Sequence, residues 1–118
     1  IKAIQTGLVN IVAHPTGRLL GERAPYEVDI AAVMDEAKKH NVALELNSCP
    51  ERLDLNDMHL RLAKDKGVKI AISTDAHSIG HLQNIVYGIH TARRGWIEKG
   101  DVINTLPLKE LMRFLKKG

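Results

Sequence analysis

Two strong metal-binding side chains lie two positions apart near the middle of the chain. Asp75 and His77 belong to the segment Ser73-Thr74-Asp75-Ala76-His77, which directly follows the largely apolar run Val68–Ile72. Alternate residues of an extended chain point the same way, so both side chains can reach one site. A carboxylate oxygen beside an imidazole nitrogen suits Zn, Mn or Fe. The segment therefore raises the hypothesis of a divalent-metal site.

Two further apolar runs end in polar, reactive segments. One is followed by residues 14–18, which begin with His14, and the other ends in residues 45–52, which begin with Glu45. In parallel α/β folds the functional groups collect at the carboxyl ends of the strands, where loops vary on a fixed scaffold. We therefore predict that His14, Asp75 and His77 are metal ligands that face one cavity.

Three residues of the same segments are candidate contacts for a substrate. Arg18 and Arg52 carry the guanidinium group that holds a phosphate by paired hydrogen bonds, although each could equally pair with a surface carboxylate. Asn47 donates to a substrate oxygen in one interpretation and closes the turn before Pro50 in the other. We predict that Arg18, Asn47 and Arg52 bind substrate or phosphate.

Each of these residues also has an ordinary structural explanation. A single histidine after a strand is commonly a hydrogen-bonded loop residue, and Asp75 could cap the next helix. Position within or beside a predicted helix favours a packed or solvated side chain for His40, His59 and His90. His81 lies just beyond the reactive turn, and the pattern leaves open whether it faces the site. Cys49 is interpreted as a small packing residue, because no second cysteine offers a thiolate metal site.

Hydrophobic periodicity predicts strands that alternate with helices. The predicted strands are Leu8–Ala13, Val42–Leu46 and Val68–Ser73, and the predicted helices are residues 1–6, Glu27–His40, Leu55–Lys66, Ile79–Lys99 and a last one after Pro107. A loop is predicted over Thr16–Tyr26, and Gly88 and Gly95 weaken the long helical pattern. The alternation predicts an α/β fold with parallel strands and right-handed crossovers. Three strands cannot close a barrel by themselves.

The composition is that of one globular domain. The 118 residues are 44% hydrophobic and 26% charged, with a formal net charge of +3. Basic residues are spread along the chain and only 3% of residues are aromatic, so a nucleic-acid partner would be held through its phosphates. A lone cysteine, no leader and no apolar stretch near 20 residues predict a cytoplasmic protein without a membrane partner. Because the chain does not begin with Met, we expect it to be part of a longer polypeptide.

Several common functional motifs are absent from the sequence. None of Ser48, Ser73 and Ser78 has the sharp glycine-flanked turn of a serine nucleophile. A phosphate-binding P-loop, a glycine-rich dinucleotide turn and paired CxxC motifs are also absent. The sequence therefore gives no sign of a serine hydrolase, a nucleotide-binding loop or a zinc ribbon.

An ordered set of short segments resembles a known family. The segments "AHPTGR", "ELNSCPERLDL" and "ISTDAH", followed by "ARRGW" and "NTLPLKELMRFLKK", resemble the second half of a PHP domain. They are most similar to the C-terminal PHP domain of bacterial and archaeal X-family DNA polymerases. The resemblance covers nearly the whole chain. It is specific because all of these segments occur in the same order, whereas one segment alone would be a modest signal.

This resemblance implies a fold and a cofactor. PHP domains are distorted seven-stranded α/β barrels that bind up to three metal ions and hydrolyse phosphoesters. Residues 1–118 would be the C-terminal portion of one such domain, with about three parallel strands and flanking helices. By resemblance, His14, Asp75 and His77 would each belong to a different Mn or Zn ion. The family's HxH strand, bridging Glu and further histidine ligands would lie upstream of this chain.

The resemblance also implies an activity and leaves two alternatives. In the intact parent it implies 3′-5′ exonuclease or 3′-end trimming of DNA during repair. One alternative is a PHP phosphatase of a small monoester such as histidinol phosphate, although "RRGW" and "NTLPL" favour the polymerase-linked branch. The other is an inactive, truncated module. For the isolated chain we expect weak metal binding, no activity of its own, and self-association through a free sheet edge.

Overall fold

A three-stranded parallel sheet forms the centre of the chain in the computed structural model, which describes residues 1–18, 20 and 29–115. The strands are β1 (Ile11–Val12), β2 (Ala43–Asn47) and β3 (Ile70–Ser73), in the order β1-β2-β3. In the register Leu44 pairs with Ile70 and Asn47 pairs with Ser73. The α/β class and the three parallel strands are therefore confirmed. Membership of a seven-stranded barrel stays a prediction.

Helices connect and cover these strands. The α-helices are α1 (Lys2–Gln5), α2 (Ile30–Lys39), α3 (Asp57–Lys66), α4 (Ile85–Arg94) and α5 (Leu108–Leu115), and short 3-10 helices cover Ile79–Asn84, Lys99–Asp101 and Ile103–Thr105. Asp29 and Asn56 cap α2 and α3, because their side chains accept from backbone N–H groups 3.1 and 2.8 Å away. Gly67 ends α3 with a left-handed φ of +76°, which glycine adopts without strain.

The two faces of the sheet pack against different elements. Buried side chains of β2 and β3 on one face, such as Leu44 and Ile70, join the core formed by α2, α3 and α4. Ala43 and Ala71 on the other face pack with Ile103 and residues of α5. Since side chains alternate along a strand, Glu45 and Asn47 share the second face with Ala43. This face is the one that turns toward the candidate site.

The predicted elements differ from the observed ones mainly at their ends. The first strand has two residues instead of six, because Leu8 is 66% exposed and only the part beside β2 finds a pairing partner. The predicted helix Ile79–Lys99 is wrong as one element: a 3-10 helix opens it and α4 ends before Gly95. A Cβ at Gly95 would lie 2.7 Å from that of Leu60, so the chain passes too close to α3 for a larger residue there. The predicted loop Thr16–Tyr26 and the helix start at Glu27 fall largely outside the described residues.

The free edge of β3 is closed by a side chain. Asn104 accepts from the backbone N–H of Ile72 and donates to the Ile72 carbonyl, both at 2.8 Å. Val102 forms a parallel bridge to Ile70 on the same edge. In the described part of the chain, β1 therefore has the sheet edge without such a cover, and self-association through an edge stays a prediction. No helix in the described residues is long and apolar enough to cross a membrane.

Gly88 allows α4 to lie directly on the strand ends, and alanine at this position should destabilise the chain by about 1–3 kcal/mol. The new Cβ would lie 2.0 Å from Ser48 Oγ and 3.1 Å from Ile72 Cγ2, so the helix or its neighbours must move. Gly100→Ala is the matched control, because a Cβ there meets nothing within 4 Å. Urea denaturation measures both free energies of unfolding. Equal stabilities for the two variants would contradict this packing.

Candidate functional site

His14 and Asp75 meet at the amide of Asn47. Asn47 Nδ2 donates to Asp75 Oδ2 at 3.2 Å and lies 3.4 Å from His14 Nδ1. These residues follow or end three different strands, β1, β2 and β3, and all lie at their carboxyl ends. The structure thus brings together two of the three predicted metal ligands and the predicted substrate contact Asn47. Metal binding by these side chains stays a prediction.

The orientation of the Asn47 amide follows from its other contact. Its Oδ1 accepts from the backbone N–H of Cys49 at 2.9 Å, which only an oxygen can do. The nitrogen of the amide must therefore face His14 and Asp75. Asn47 is fully buried, so this amide closes the turn after β2 and also holds the site. The turn-closing interpretation of Asn47 is therefore confirmed, and donation to a substrate oxygen stays a prediction.

Glu45 belongs to a polar segment that the sequence analysis singled out, but the sequence analysis assigned it no role in the site. Its Oε1 accepts from the backbone N–H of His14 at 3.0 Å and lies 3.5 Å from His14 Nδ1. Its Oε2 accepts from Ser73 Oγ at 2.6 Å. The carboxylate therefore connects the ends of all three strands on the face shared with Asn47. The available signal was a charged residue inside a buried strand, two positions before Asn47.

Asp54 is a second missed residue, and it fixes the loop that carries His14. Its fully buried carboxylate accepts from Thr16 N at 3.0 Å, Thr16 Oγ1 at 2.8 Å and Gly17 N at 2.9 Å. Three hydrogen bonds compensate the burial of the charge. The signal in the sequence was an aspartate between two leucines, at 53–55.

The loops that carry His14 and Asp75 turn sharply. His14 has φ +48° and Asp75 has φ +52°, which are uncommon backbone angles for residues other than glycine. Such conformations persist only where surrounding contacts fix them. Here the contacts of Glu45, Asn47 and Asp54 supply that restraint, so both side chains are held at the strand ends.

A polar cleft of about 400 Å³ adjoins Asp75. Its walls are formed by Cys49, Pro50, Glu51, Arg52, Asp75, His77, His81 and Asn84. Arg52 Nε lies 3.8 Å from Asp75 Oδ2, and Arg52 Nη1 is buried with no hydrogen-bond partner among the residues that the structure describes. A cation with an unused buried donor is suited to an anionic ligand.

His77 lies beside Asp75 through the backbone. Its Nδ1 is 2.8 Å from the Asp75 carbonyl oxygen, while its side chain is exposed. Among the residues that the structure describes, no three His, Cys, Asp or Glu side chains converge as a metal site. The donor types of His14, Asp75 and His77 fit a divalent metal, but the described chain supplies only part of a coordination shell.

The remaining predicted residues have structural roles in this fold. Arg18 donates Nε to the Arg52 carbonyl at 2.8 Å and a terminal nitrogen to the Leu53 carbonyl, so its guanidinium braces the 49–54 loop. A phosphate contact by Arg18 stays a prediction. His40, directly after the last residue of α2, lies 3.4 Å from Glu36, in agreement with an ordinary histidine at a helix end.

Comparison with known proteins identifies relatives of the chain. No protein-family model matches it. Over its whole length it is 47% identical to the DNA polymerase/3′-5′ exonuclease PolX of Bacillus subtilis. It is 29% identical over 94% of its length to the probable phosphatase PMI1003 of Proteus mirabilis, and 37% identical over 65% to a probable phosphatase of Caldicellulosiruptor saccharolyticus. These matches agree with a segment of a PHP domain.

The relatives are considerably longer than this chain. It spans 21% of the Bacillus polymerase, 45% of the Proteus phosphatase and 32% of the Caldicellulosiruptor phosphatase. The resemblance to the PHP segment of X-family polymerases is confirmed by the full-length match at 47% identity. The chain is related to both a polymerase-linked exonuclease and probable phosphatases, which supports phosphoester hydrolysis as the general chemistry of these relatives.

Asp54→Asn should destabilise the chain by roughly 2–4 kcal/mol. The new amide nitrogen would face backbone N–H donors, and the negative charge that strengthens three hydrogen bonds would be lost. Asp65→Asn is the matched control, since Asp65 is an exposed aspartate of α3. Free energies of unfolding in urea measure both changes. Equal free energies of unfolding for Asp54→Asn and Asp65→Asn would contradict the proposed restraint of the His14 loop by Asp54.

His59 should make stability fall in mild acid. Burial lowers its pKa below the ordinary 6.5, with Asp54 opposing the shift and Arg18 adding to it. Since the folded pKa is the lower one, the unfolded chain binds more protons below about pH 6.5, and stability decreases as the pH drops.

We predict that His59→Gln reduces the decline in unfolding free energy between about pH 7 and pH 5. His90→Gln, which replaces an exposed histidine of α4, serves as the control and should leave the decline unchanged. Urea titrations at a series of pH values compare the three proteins. The same decline in His59→Gln as in the wild type would refute the assignment.

Proposed function

We propose that the chain is the C-terminal portion of a PHP domain in a longer protein that hydrolyses phosphoesters with bound divalent metal ions. His14, Asp75 and His77 would supply ligands from this portion, and the rest of the shell would come from the remainder of the domain. The observation that carries the proposal is the meeting of His14 and Asp75 at Asn47, at the carboxyl ends of three parallel strands.

In such a site the metal ions and the residues of this chain would have different roles. Bound divalent ions would lower the pKa of a water molecule and stabilise charge on the attacking and leaving oxygens. Glu45 Oε1 lies 3.5 Å from His14 Nδ1 and would accept from it in the tautomer that leaves the Nε2 lone pair for a metal. The Asn47 amide holds the Asp75 carboxylate in place. Arg52, whose cationic side chain lines the adjoining cleft, would bind a phosphate oxygen there.

We propose DNA 3′ ends as the substrate in the longer protein, with Mn or Zn as the metal. This is supported by the match over the full chain to a protein named as a DNA polymerase and 3′-5′ exonuclease. A role in DNA repair would follow from that substrate. Contacts with DNA would be mainly to phosphates, for which Arg52 is well placed.

A small phosphomonoester is the second candidate substrate. It is favoured by the probable phosphatases among the relatives, one of which matches 94% of the chain. The same metal-bound site would cleave a monoester or a diester. For the isolated 118 residues we propose little or no activity, because fewer than three candidate ligands converge in the described part of the chain.

In the longer protein, Asp75→Ala should lower kcat by about a hundredfold or more, since loss of even an outer-shell partner of a metal ligand costs 10–100-fold. The fold should remain, because Asp75 lies at a strand end and is partly exposed. His40→Ala is the control and should leave kcat within about twofold. Retained Mn-dependent hydrolysis by the Asp75 variant would contradict the metal assignment.

A direct comparison of substrates separates the two candidates. The longer protein is assayed with a single-stranded oligonucleotide and with histidinol phosphate as a small monoester, under the same Mn or Zn concentration. Faster shortening of the oligonucleotide, measured as kcat/KM, supports the exonuclease. A preference for the monoester would replace it with the phosphatase, and hydrolysis of neither would sink the proposal.

A further inference from the structure

The hydrogen bonds of the two histidines in the cleft favour opposite tautomers. His77 Nδ1 lies 2.8 Å from the Asp75 carbonyl oxygen, which only accepts, so this nitrogen carries the proton. His81 Nδ1 lies 3.3 Å from the backbone N–H of His77, which only donates, so this nitrogen carries none. In the neutral rings, His77 thus presents a lone pair at Nε2 and His81 presents an N–H at Nε2.

This difference gives the two rings different chemical uses. The Nε2 lone pair of His77 suits a metal ion, in keeping with its proposed role. The Nε2–H of His81 cannot bind a metal without a change of tautomer, but it can donate to an oxygen. Both rings line the same cleft as Arg52.

Arg52 supplies a second donor to this cleft. Its side chain is 19% exposed, and its Nη1 is buried without a hydrogen-bond partner among the described residues. Its ion pair with Asp75 uses the other side of the guanidinium, at Nε, and is long at 3.8 Å. A ligand that offers only acceptor oxygens and a negative charge would pair with the guanidinium of Arg52 and accept a hydrogen bond from Nε2 of His81.

We infer that His81 and Arg52 form a phosphate-binding position in the cleft, in which both donate to non-bridging oxygens of a phosphoryl group. His81 is then a substrate-positioning residue, distinct from the metal ligands. The inference rests on the proposed function, because it supplies that reaction with its phosphate contact. The shared chemistry is the phosphoryl oxygen, whether it belongs to a DNA end or to a small monoester.

The tautomers can be tested on the 118-residue chain alone. Nitrogen-15 NMR of labelled histidine at about pH 8, where histidines are neutral, distinguishes the protonated ring nitrogen directly. The expected result is a proton on Nδ1 of His77 and on Nε2 of His81. A proton on Nδ1 of His81 would overturn the inference, because Nε2 would then have no hydrogen to donate.

Binding is tested with inorganic phosphate as the probe, followed by NMR shifts of the Arg52 side chain in the same chain. His81→Leu should weaken phosphate binding about tenfold, as expected for the loss of one hydrogen bond to a charged group. His81→Gln should largely restore binding, because the Gln amide nitrogen can occupy the position of Nε2. His90→Leu, at an exposed histidine of α4, is the matched control and should bind phosphate as the wild type does.

Three results would overturn the inference: no phosphate binding by the chain, binding by His81→Leu equal to the wild type, or a His81→Gln variant as weak as His81→Leu. In the longer protein, His81→Leu should raise KM for the oligonucleotide or the monoester with little change in kcat. Failure of the metal-dependent hydrolysis would leave the phosphate titration standing, so the two proposals fail separately.

Discussion

The buried amide of Asn47 is the contact on which the site depends. It ends the central strand, and its two polar atoms have separate tasks: the oxygen closes the following turn onto Cys49, and the nitrogen faces His14 and Asp75. Because the turn fixes the oxygen, the nitrogen cannot exchange places with it without loss of a hydrogen bond in a fully buried position. The loops after β1 and β3, the strands on either side of β2, therefore meet at one amide whose orientation the fold determines.

Two carboxylates that lie outside the cleft hold the loops that meet at Asn47. Glu45 connects the His14 backbone to Ser73 across the sheet, and Asp54 holds the loop after His14 by three hydrogen bonds. Neither group faces the cleft, yet both restrain the left-handed backbone that aims His14. Such restraint is the structural requirement for a metal site, where ligand positions must be set before the ion binds. Helix α4 packs against the same strand ends at Gly88, where the absence of a side chain lets it approach Ser48 and Ile72.

Much of the architecture followed from sequence periodicity, because strands and helices of a parallel α/β chain have different repeats. The strand ends at His14, Asn47 and Asp75 were predictable, since polar segments after apolar runs mark them. The length of β1 was not, because it depends on how far β2 runs beside it. The break before α4 was also hidden, since a 3-10 helix and an α-helix share similar hydrophobic spacing.

One physical reason explains why the sequence did not reveal the roles of Glu45 and Asp54. Glu45 and Asp54 act through contacts with residues about 28 to 38 positions away, at Ser73, His14 and Thr16, and such pairs leave no local pattern. The tautomer of His81 likewise depends on a backbone N–H that only the folded turn brings near. The sequence could place chemistry at strand ends, but the division of roles within the site depends on three-dimensional contacts.

Paramagnetic Mn²⁺ added to the labelled chain in small steps would test most directly whether these strand ends contribute to a metal site. The ion broadens NMR signals of nearby nuclei even when it binds weakly. The account predicts that the signals of His14, Asp75 and His77 broaden first, while His40 and His90 remain sharp until much higher concentrations. Uniform broadening of all histidines, or broadening centred away from Asn47, would contradict a metal site at the carboxyl end of this sheet.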